Sequence, residues 1–312
     1  MPARSPLPPQ LQGQAFAVRD ALDAGARPTR LRSADLASPF WGVRSTPDGA
    51  DSVEGRARAY LSRAAPGHFI SHSSAAVIWG IPLPSALESD TRLHVGVSTE
   101  QRAPRGQGVI GHRLQLNPED VVTHLDIRLT SLARTWCDLA SLLREEELVA
   151  AGDNVIWYRR PVHSRLTHQI LRTAASQHSG RRGRPAIRSS LPLLSDRADS
   201  LPESVMRVRM IRAGLPIPDV NLEVYDARGH FVAMPDLSYP TYFLSFDYEG
   251  DHHRTDSLQW EKDIARVPRL EKANWHHTRI SKADLRNSRD FLERTRQLLF
   301  DRGWLRPPAE GR

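Results

Sequence analysis

Cysteine is almost missing from this 312-residue chain: Cys137 is the single one. That excludes an internal disulfide and any zinc site built from cysteine pairs. Cys137 stands in "LARTWCDLASLL", an apolar helical stretch, where a thiol reads as core packing rather than as a nucleophile. Long apolar runs are missing too. No stretch approaches the roughly 20 apolar residues of a membrane helix, while a hydrophobic share of 39% is enough for ordinary cores. The opening "MPARSPLPPQLQGQ" has no apolar segment of the secretory kind, which predicts a cytoplasmic protein. Lysine is scarce as well: of 43 basic residues, 3 are Lys and 40 are Arg. The planar guanidinium suits phosphate, although arginine usage also follows the base composition of a genome.

What is present is unevenly distributed. The net charge is +7, of which residues 1–199 carry +6 and residues 200–312 carry +1. A basic front half makes nucleic acid a plausible partner, and a solubility device is the bland alternative. At 312 residues, two or three domains are expected.

The pattern along the chain predicts an α/β (α+β) protein with no internal repeat. Residues 12–50 have the rhythm of a small winged helix-turn-helix or, equally, of a three-helix interaction module. Phe16, Val18 and Leu22 begin a helix, Gly25 caps it, Leu31 to Leu36 form a second, and "FWGVRS" is the wing strand. Residues 51–178 read as a mixed α/β and helical region, interrupted near Arg160-Pro161. Residues 179–198, which begin "SGRRGRPAIRSS", read as a basic linker. Residues 199–306 then form a second domain. It starts with a helix capped by Ser200 and stopped by Gly214, and continues with a three-strand meander whose first turn is "DARG". A helix over 256–273, the strand "HHTRI" and a last helix complete the order αβββαβα, a mixed sheet flanked by helices.

The chemistry concentrates in "FLSFDYEGDHHRTDSLQW". On a strand, alternate side chains share a face, so Asp247 and Glu249 stand side by side. Like charges there repel unless a cation or basic groups offset them. Either this is a solvated sheet face with a polar turn or it holds a metal. Asp236, in "PDLSYP", is a turn acid or a further ligand. Glu203 lies three residues after Ser200 and four before Arg207, the spacing of a capping box and of a helix ion pair. Carboxylates gathered in this way suit Mg²⁺, which takes oxygen ligands and keeps several waters. His252 and His253 are open to a zinc, phosphate-contact or proton-transfer role, or to none. A flat hairpin over residues 231–249 would set Asp236 roughly 13 Å from the level of Asp247. A shared metal therefore requires the strands to splay beyond Pro235.

The stretch "PDLSYPTYFLSFDYEGDHHRTDSLQWEKDIARVPRLEKANWHHTRISKADL" resembles the Vsr-like endonuclease domain of the PD-(D/E)XK nuclease superfamily. The likeness covers about residues 196–305 and is specific over 235–280. It implies a restriction-endonuclease-like αβββαβα fold and a Mg²⁺- or Mn²⁺-dependent DNA endonuclease. Asp236 and Asp247 would hold the metal, with the Tyr248 backbone carbonyl as an optional ligand. Glu203 matches the acid of the first core helix, and His252 or His253 the loop histidine. Glu249 falls where many members place a catalytic lysine, which leaves it to orient a water. The acid pair is Asp-x-Glu where the domain more often has Glu-x-Asp. Val267-Pro268 predicts a kink, and "KANWHH" lacks the usual glycine before Trp275.

The front half, through "ISHSSAAVIWGIPLP" and "LTSLARTWCDLASLLREEELVAAGDNVI", resembles the AbiEi-like antitoxin region. It implies a winged-helix DNA-binding start, a defence, repair or toxin–antitoxin setting and a cognate toxin as partner. The competing expectation is a non-catalytic DNA-binding antitoxin or transcriptional regulator with a drifted nuclease domain. An RNA substrate is not separable from DNA on these residues.

Overall fold

A computed structural model describes residues 5–46, 49, 51–249 and 267–306. The chain is mixed α/β and divides into two compact units. One comprises Met1–Leu143 with Gln169–Arg188, the other Arg144–His168 with Ser189–Arg312.

The first unit opens with β1 (Ala15–Ala17), α1 (Val18–Asp23) and β2 (Val43–Ser45), the two strands pairing antiparallel. Gly25 ends α1 at φ +87°, as expected of a cap. The helix expected from Leu31 to Leu36 is instead a single 3-10 turn, Arg30–Arg32. Arg30 grips Asp35 with two hydrogen bonds (3.0 and 2.8 Å), which closes the segment after one turn. That closure lets Leu31 and Leu36 bury into one cluster with Phe16. The strand expected in "FWGVRS" is β2, and its partner lies before α1.

α2 (Val53–Leu61), β3 (Phe69–Ile70), α3 (His72–Ile78) and α4 (Ser85–Glu88) follow. Next come β4 (Leu93–Ser98), β5 (Val109–Leu114), β6 (Val121–His124), β7 (Ile127–Thr130) and α5 (Leu132–Leu139). The five strands form one mixed sheet in the order β5-β4-β3-β7-β6. Ile70, Val95, Ile127 and Leu129 are fully buried in its core. Cys137 on α5 is also buried, and burial pushes its thiol pKa well up, so it is an inert core residue.

The chain then leaves for α6 (Glu145–Ile156), part of the second unit, before α7 (His168–Gln177) and α8 (Arg184–Ser190). The boundaries thus differ from a break at a 179–198 linker. Pro185 stands in the first turn of α8, where a helix tolerates it, and Ile187 and Ser190 are buried. The Gly/Pro/Ser composition there marks a helix start rather than a tether.

In the second unit α6 packs along α9 (Leu201–Arg212). Ser200 accepts the Glu203 N–H, Pro202 fits the first turn, and Gly214 at φ +74° ends the helix, as the sequence predicted. β8 (Asp219–Val220), β9 (Val224–Tyr225), β10 (Phe231–Ala233), β11 (Leu237–Tyr239), β12 (Leu244–Tyr248) and β13 (His276–Ile280) follow. They sort into a four-stranded sheet, β13-β12-β11-β8, and a separate β10-β9 ribbon. The "DARG" turn of that ribbon holds Gly229 at φ +79°. β13 coincides with the expected "HHTRI" strand and runs parallel to β12. Two helices, Lys282–Arg286 and Arg289–Asp301, end the described chain. Residues 267–272 are helical, and the rest of the helix expected over 256–273 lies outside the described residues. Leu237, Leu244, Phe246, Met206 and Phe291 form the core. Among the described residues no helix is long and apolar enough to cross a membrane.

One ionic centre locks α6 to α9. Asp153, 1% exposed, accepts hydrogen bonds from Arg207, the Ser204 hydroxyl and the Ser195 N–H, each at 2.7 Å. Burial pushes its carboxyl upward and the Arg207 charge draws it back. Asp153→Ala would leave Arg207 buried without a counter-charge, a loss of about 3–5 kcal/mol. We expect a loss of unfolding free energy of that size in urea titration, read as a lower midpoint at unchanged slope. Glu145→Ala removes the partner of half-exposed Arg212 (2.6 Å) and should cost under about 1 kcal/mol.

Candidate metal centre

Strand register brings Asp236 and Asp247 together. Phe231–Ala233 pairs with β9, so the partner of β12 is not that strand but β11. A 3-10 turn at Pro240–Tyr242 and Phe243 at φ +52° join β11 to β12, with Leu237 opposite Phe246 and Tyr239 opposite Leu244. One step further out, Asp236 faces Asp247. The obstacle raised by a flat hairpin over 231–249 does not arise, because the turn is centred later, between Thr241 and Tyr242, than the midpoint of that hairpin.

The two carboxylates are crossed over the strand ends. Asp247 Oδ1 accepts the Asp236 N–H at 2.9 Å, and Asp236 Oδ2 accepts the Tyr248 N–H at 2.7 Å. The Tyr248 side chain goes to the core face, leaving its backbone beside the pair. Ser238 and Ser245 lie on the same face as the acids, both fully buried, and Ser238 Oγ has no hydrogen-bond partner among the described residues. A buried, unsatisfied hydroxyl next to two carboxylates marks a polar compartment rather than a dry packing face.

Glu203 is brought near this site only indirectly. Its carboxylate accepts the Ser200 hydroxyl (2.6 Å), the Asp199 N–H (3.0 Å) and the Asn221 amide (3.2 Å). Burial raises its pKa, and the bonds from Ser200 and Asp199 oppose the rise. This is the capping-box reading with one addition. Asn221, at φ +46°, also donates its backbone N–H to the Asp236 carbonyl at 3.1 Å. Glu203 therefore fixes the residue that fixes the Asp236 backbone.

Glu249 is offset by a cation rather than left to repel Asp247. Arg279, its neighbour across β13, reaches it at 2.7 Å, both side chains being more than half exposed. His277 stands between these groups. One ring nitrogen lies 3.2 Å from Ser245 Oγ, and Nε2 lies 3.8 Å from Asp247 Oδ2. His252 and His253 lie outside the described residues. Among the described residues no third His, Cys, Asp or Glu joins Asp236 and Asp247 in a tight three-ligand cluster. A pair of carboxylates is nevertheless an ordinary donor set for Mg²⁺, which retains water.

Sequence reasoning missed His277, Arg279 and Asn221. The first two were legible as alternate residues of a strand, but only the parallel register sets Ser245 beside His277 and Asp247 beside Arg279.

No family model matches the chain, and no solved structure matches it. Two curated relatives are the uncharacterized proteins MT2308 and Rv2248 of Mycobacterium tuberculosis, from strains CDC 1551 / Oshkosh and ATCC 25618 / H37Rv. Each is 28% identical over 157 residues, covering 50% of this chain and 56% of the relative. The matched stretch thus spans about half the length of these relatives.

The crossed bonds separate a structural from an electrostatic role for Asp247. Asp247→Ala removes the acceptor of the Asp236 N–H and should cost about 1–3 kcal/mol. Asp247→Asn keeps an oxygen there and should stay within about 1 kcal/mol of wild type by thermal or urea unfolding.

Proposed function

We propose that the chain is a Mg²⁺- or Mn²⁺-dependent DNA endonuclease whose metal is held by Asp236 and Asp247. The observation that carries this reading is the cross-strand apposition of those two carboxylates on a polar sheet face. The order α9, β8, β11, β12, then parallel β13 and a terminal helix supports a restriction-endonuclease-like architecture. So does the likeness of residues 235–280 to the Vsr-like domain. The basic balance of residues 1–199 supports a role for that half in holding duplex DNA. Its winged-helix and antitoxin likeness makes a cognate toxin a candidate partner.

The roles follow from placement. Asp236 and Asp247 each fix one oxygen on a backbone N–H, which orients both carboxylates without spending their charge. A bound Mg²⁺ would neutralise charge developing on the phosphodiester and acidify a water. Glu249, two residues beyond Asp247 and just past the end of β12, would orient that water. Arg279 brings to Glu249 the positive charge that a lysine at position 249 would have supplied. His277 lies beside the Asp247 edge, its Nε2 3.8 Å from Asp247 Oδ2, and would add positive charge there only if protonated.

Plasmid nicking tests the proposal. With Mg²⁺ or Mn²⁺ the wild-type chain should convert supercoiled to open-circular DNA, while Asp236→Ala and Asp247→Ala fall to background. Equal activity in all three would rule the site out.

A DNA-binding regulator with a silent nuclease-like unit is the second reading. The closed Glu249–Arg279 pair favours it, because a paired carboxylate is less available to a water. In that case the full chain carrying both Asp→Ala substitutions should still bind duplex DNA, with affinity falling steeply as salt rises. Absence of nicking together with salt-insensitive or absent DNA binding would exclude both readings.

A further inference from the structure

The first unit holds a second cluster that the nuclease reading does not use. His72 opens α3, His94 lies on β4 and His112 on the adjacent parallel strand β5. One ring nitrogen from each falls within 4.8 Å of the others. His94 Nδ1 and His112 Nε2 are 3.0 Å apart. The rings of His72 and His112 stack at 3.8 Å. His72 and His94 are buried, His112 partly so.

We propose that His72, His94 and His112 bind one divalent first-row transition ion of the zinc class, with an open coordination position toward the neighbouring cavity. Three imidazoles suit zinc and its transition-metal neighbours, and they do not suit Mg²⁺ or Ca²⁺, which want oxygen. Burial of the rings favours the neutral form that can ligate. Zinc–nitrogen bonds of about 2.0–2.1 Å ask the three nitrogens to close in. Binding would therefore require His72 to turn out of its stack on His112.

Two further observations point the same way. His72 adopts φ +50°, the left-handed region that non-glycine residues occupy only at a cost in strain. It also lines a cavity of about 370 Å³ together with Arg113, Arg134, Asp138 and His178. In that wall His178 is 7% exposed and Asp138 3% exposed. Neither His178 Nδ1 nor Asp138 Oδ2 has a hydrogen-bond partner among the described residues. Buried polar atoms left unsatisfied in a cavity wall call for an occupant. An ion-bound water in the cavity would find an acceptor in Asp138 Oδ2 and donors in the two arginines.

The test uses the full chain, freed of metal with a chelator and titrated with Zn²⁺ and Co²⁺. Wild type should bind one Zn²⁺, and bound Co²⁺ should show the visible absorption of a low-coordinate nitrogen site. His112→Gln and His94→Asn should each weaken binding by at least about tenfold, and substitution of the exposed His163, His163→Gln, should leave it unchanged. If either histidine variant fails to fold by circular dichroism, the wild-type Co²⁺ spectrum decides, since a carboxylate–water site is octahedral and nearly colourless. No Zn²⁺ bound by wild type, or equal affinity in wild type and the two variants of the cluster histidines, would overturn the proposal.

Discussion

The site in the second unit depends on a single constraint, the length of the turn between β11 and β12. Pro240–Tyr242 makes one 3-10 turn and Phe243 reverses the chain in the left-handed region. Because a one-residue slip would send every side chain to the opposite face, that turn decides which acid meets which. It sets Leu237 and Phe246 into the core together and, one step out, Asp236 against Asp247. The apolar face enforces the polar one: the register that buries Leu244 and Phe246 is the register that opposes the two carboxylates.

Support for this arrangement comes from groups whose own roles are structural. Glu203 caps α9 and holds Asn221, and Asn221 holds the Asp236 carbonyl. Asp153 and Arg207 join the helix carrying Glu203 to α6. Buried ionic groups of this kind add little net stability but penalise misplacement heavily. They are well suited to fixing carboxylates whose mutual repulsion would otherwise push the strand ends apart.

Much of the fold was legible from local signals. Ser200 and Gly214 bound α9, the period-2 pattern of "FLSFDY" marks β12, and "HHTRI" coincides with β13. Cys137 is the core residue that its apolar helix predicted. Signals of composition served less well. The Gly/Pro/Ser-rich 179–198 stretch contains a helix, because Pro185 sits in a first turn and Ile187 finds a core. The second helix expected in residues 31–36 shrank to one turn under the Arg30–Asp35 clasp. Of the candidate site, the acids could be named but their pairing could not. Alternation fixes which residues share a face of one strand and says nothing of which strand lies beside it. Asp236 against Asp247, His277 beside Ser245 and Arg279 beside Asp247 are all facts of register between strands.

The central claim is that Asp236 and Asp247 together hold one divalent ion, and calorimetric titration of Mn²⁺ into the full chain tests it most directly. The account predicts one binding event in wild type, weakened at least about tenfold by Asp236→Asn and again by Asp247→Asn, in chains that remain folded. Binding that is unchanged by both substitutions, or no binding in wild type, would contradict it.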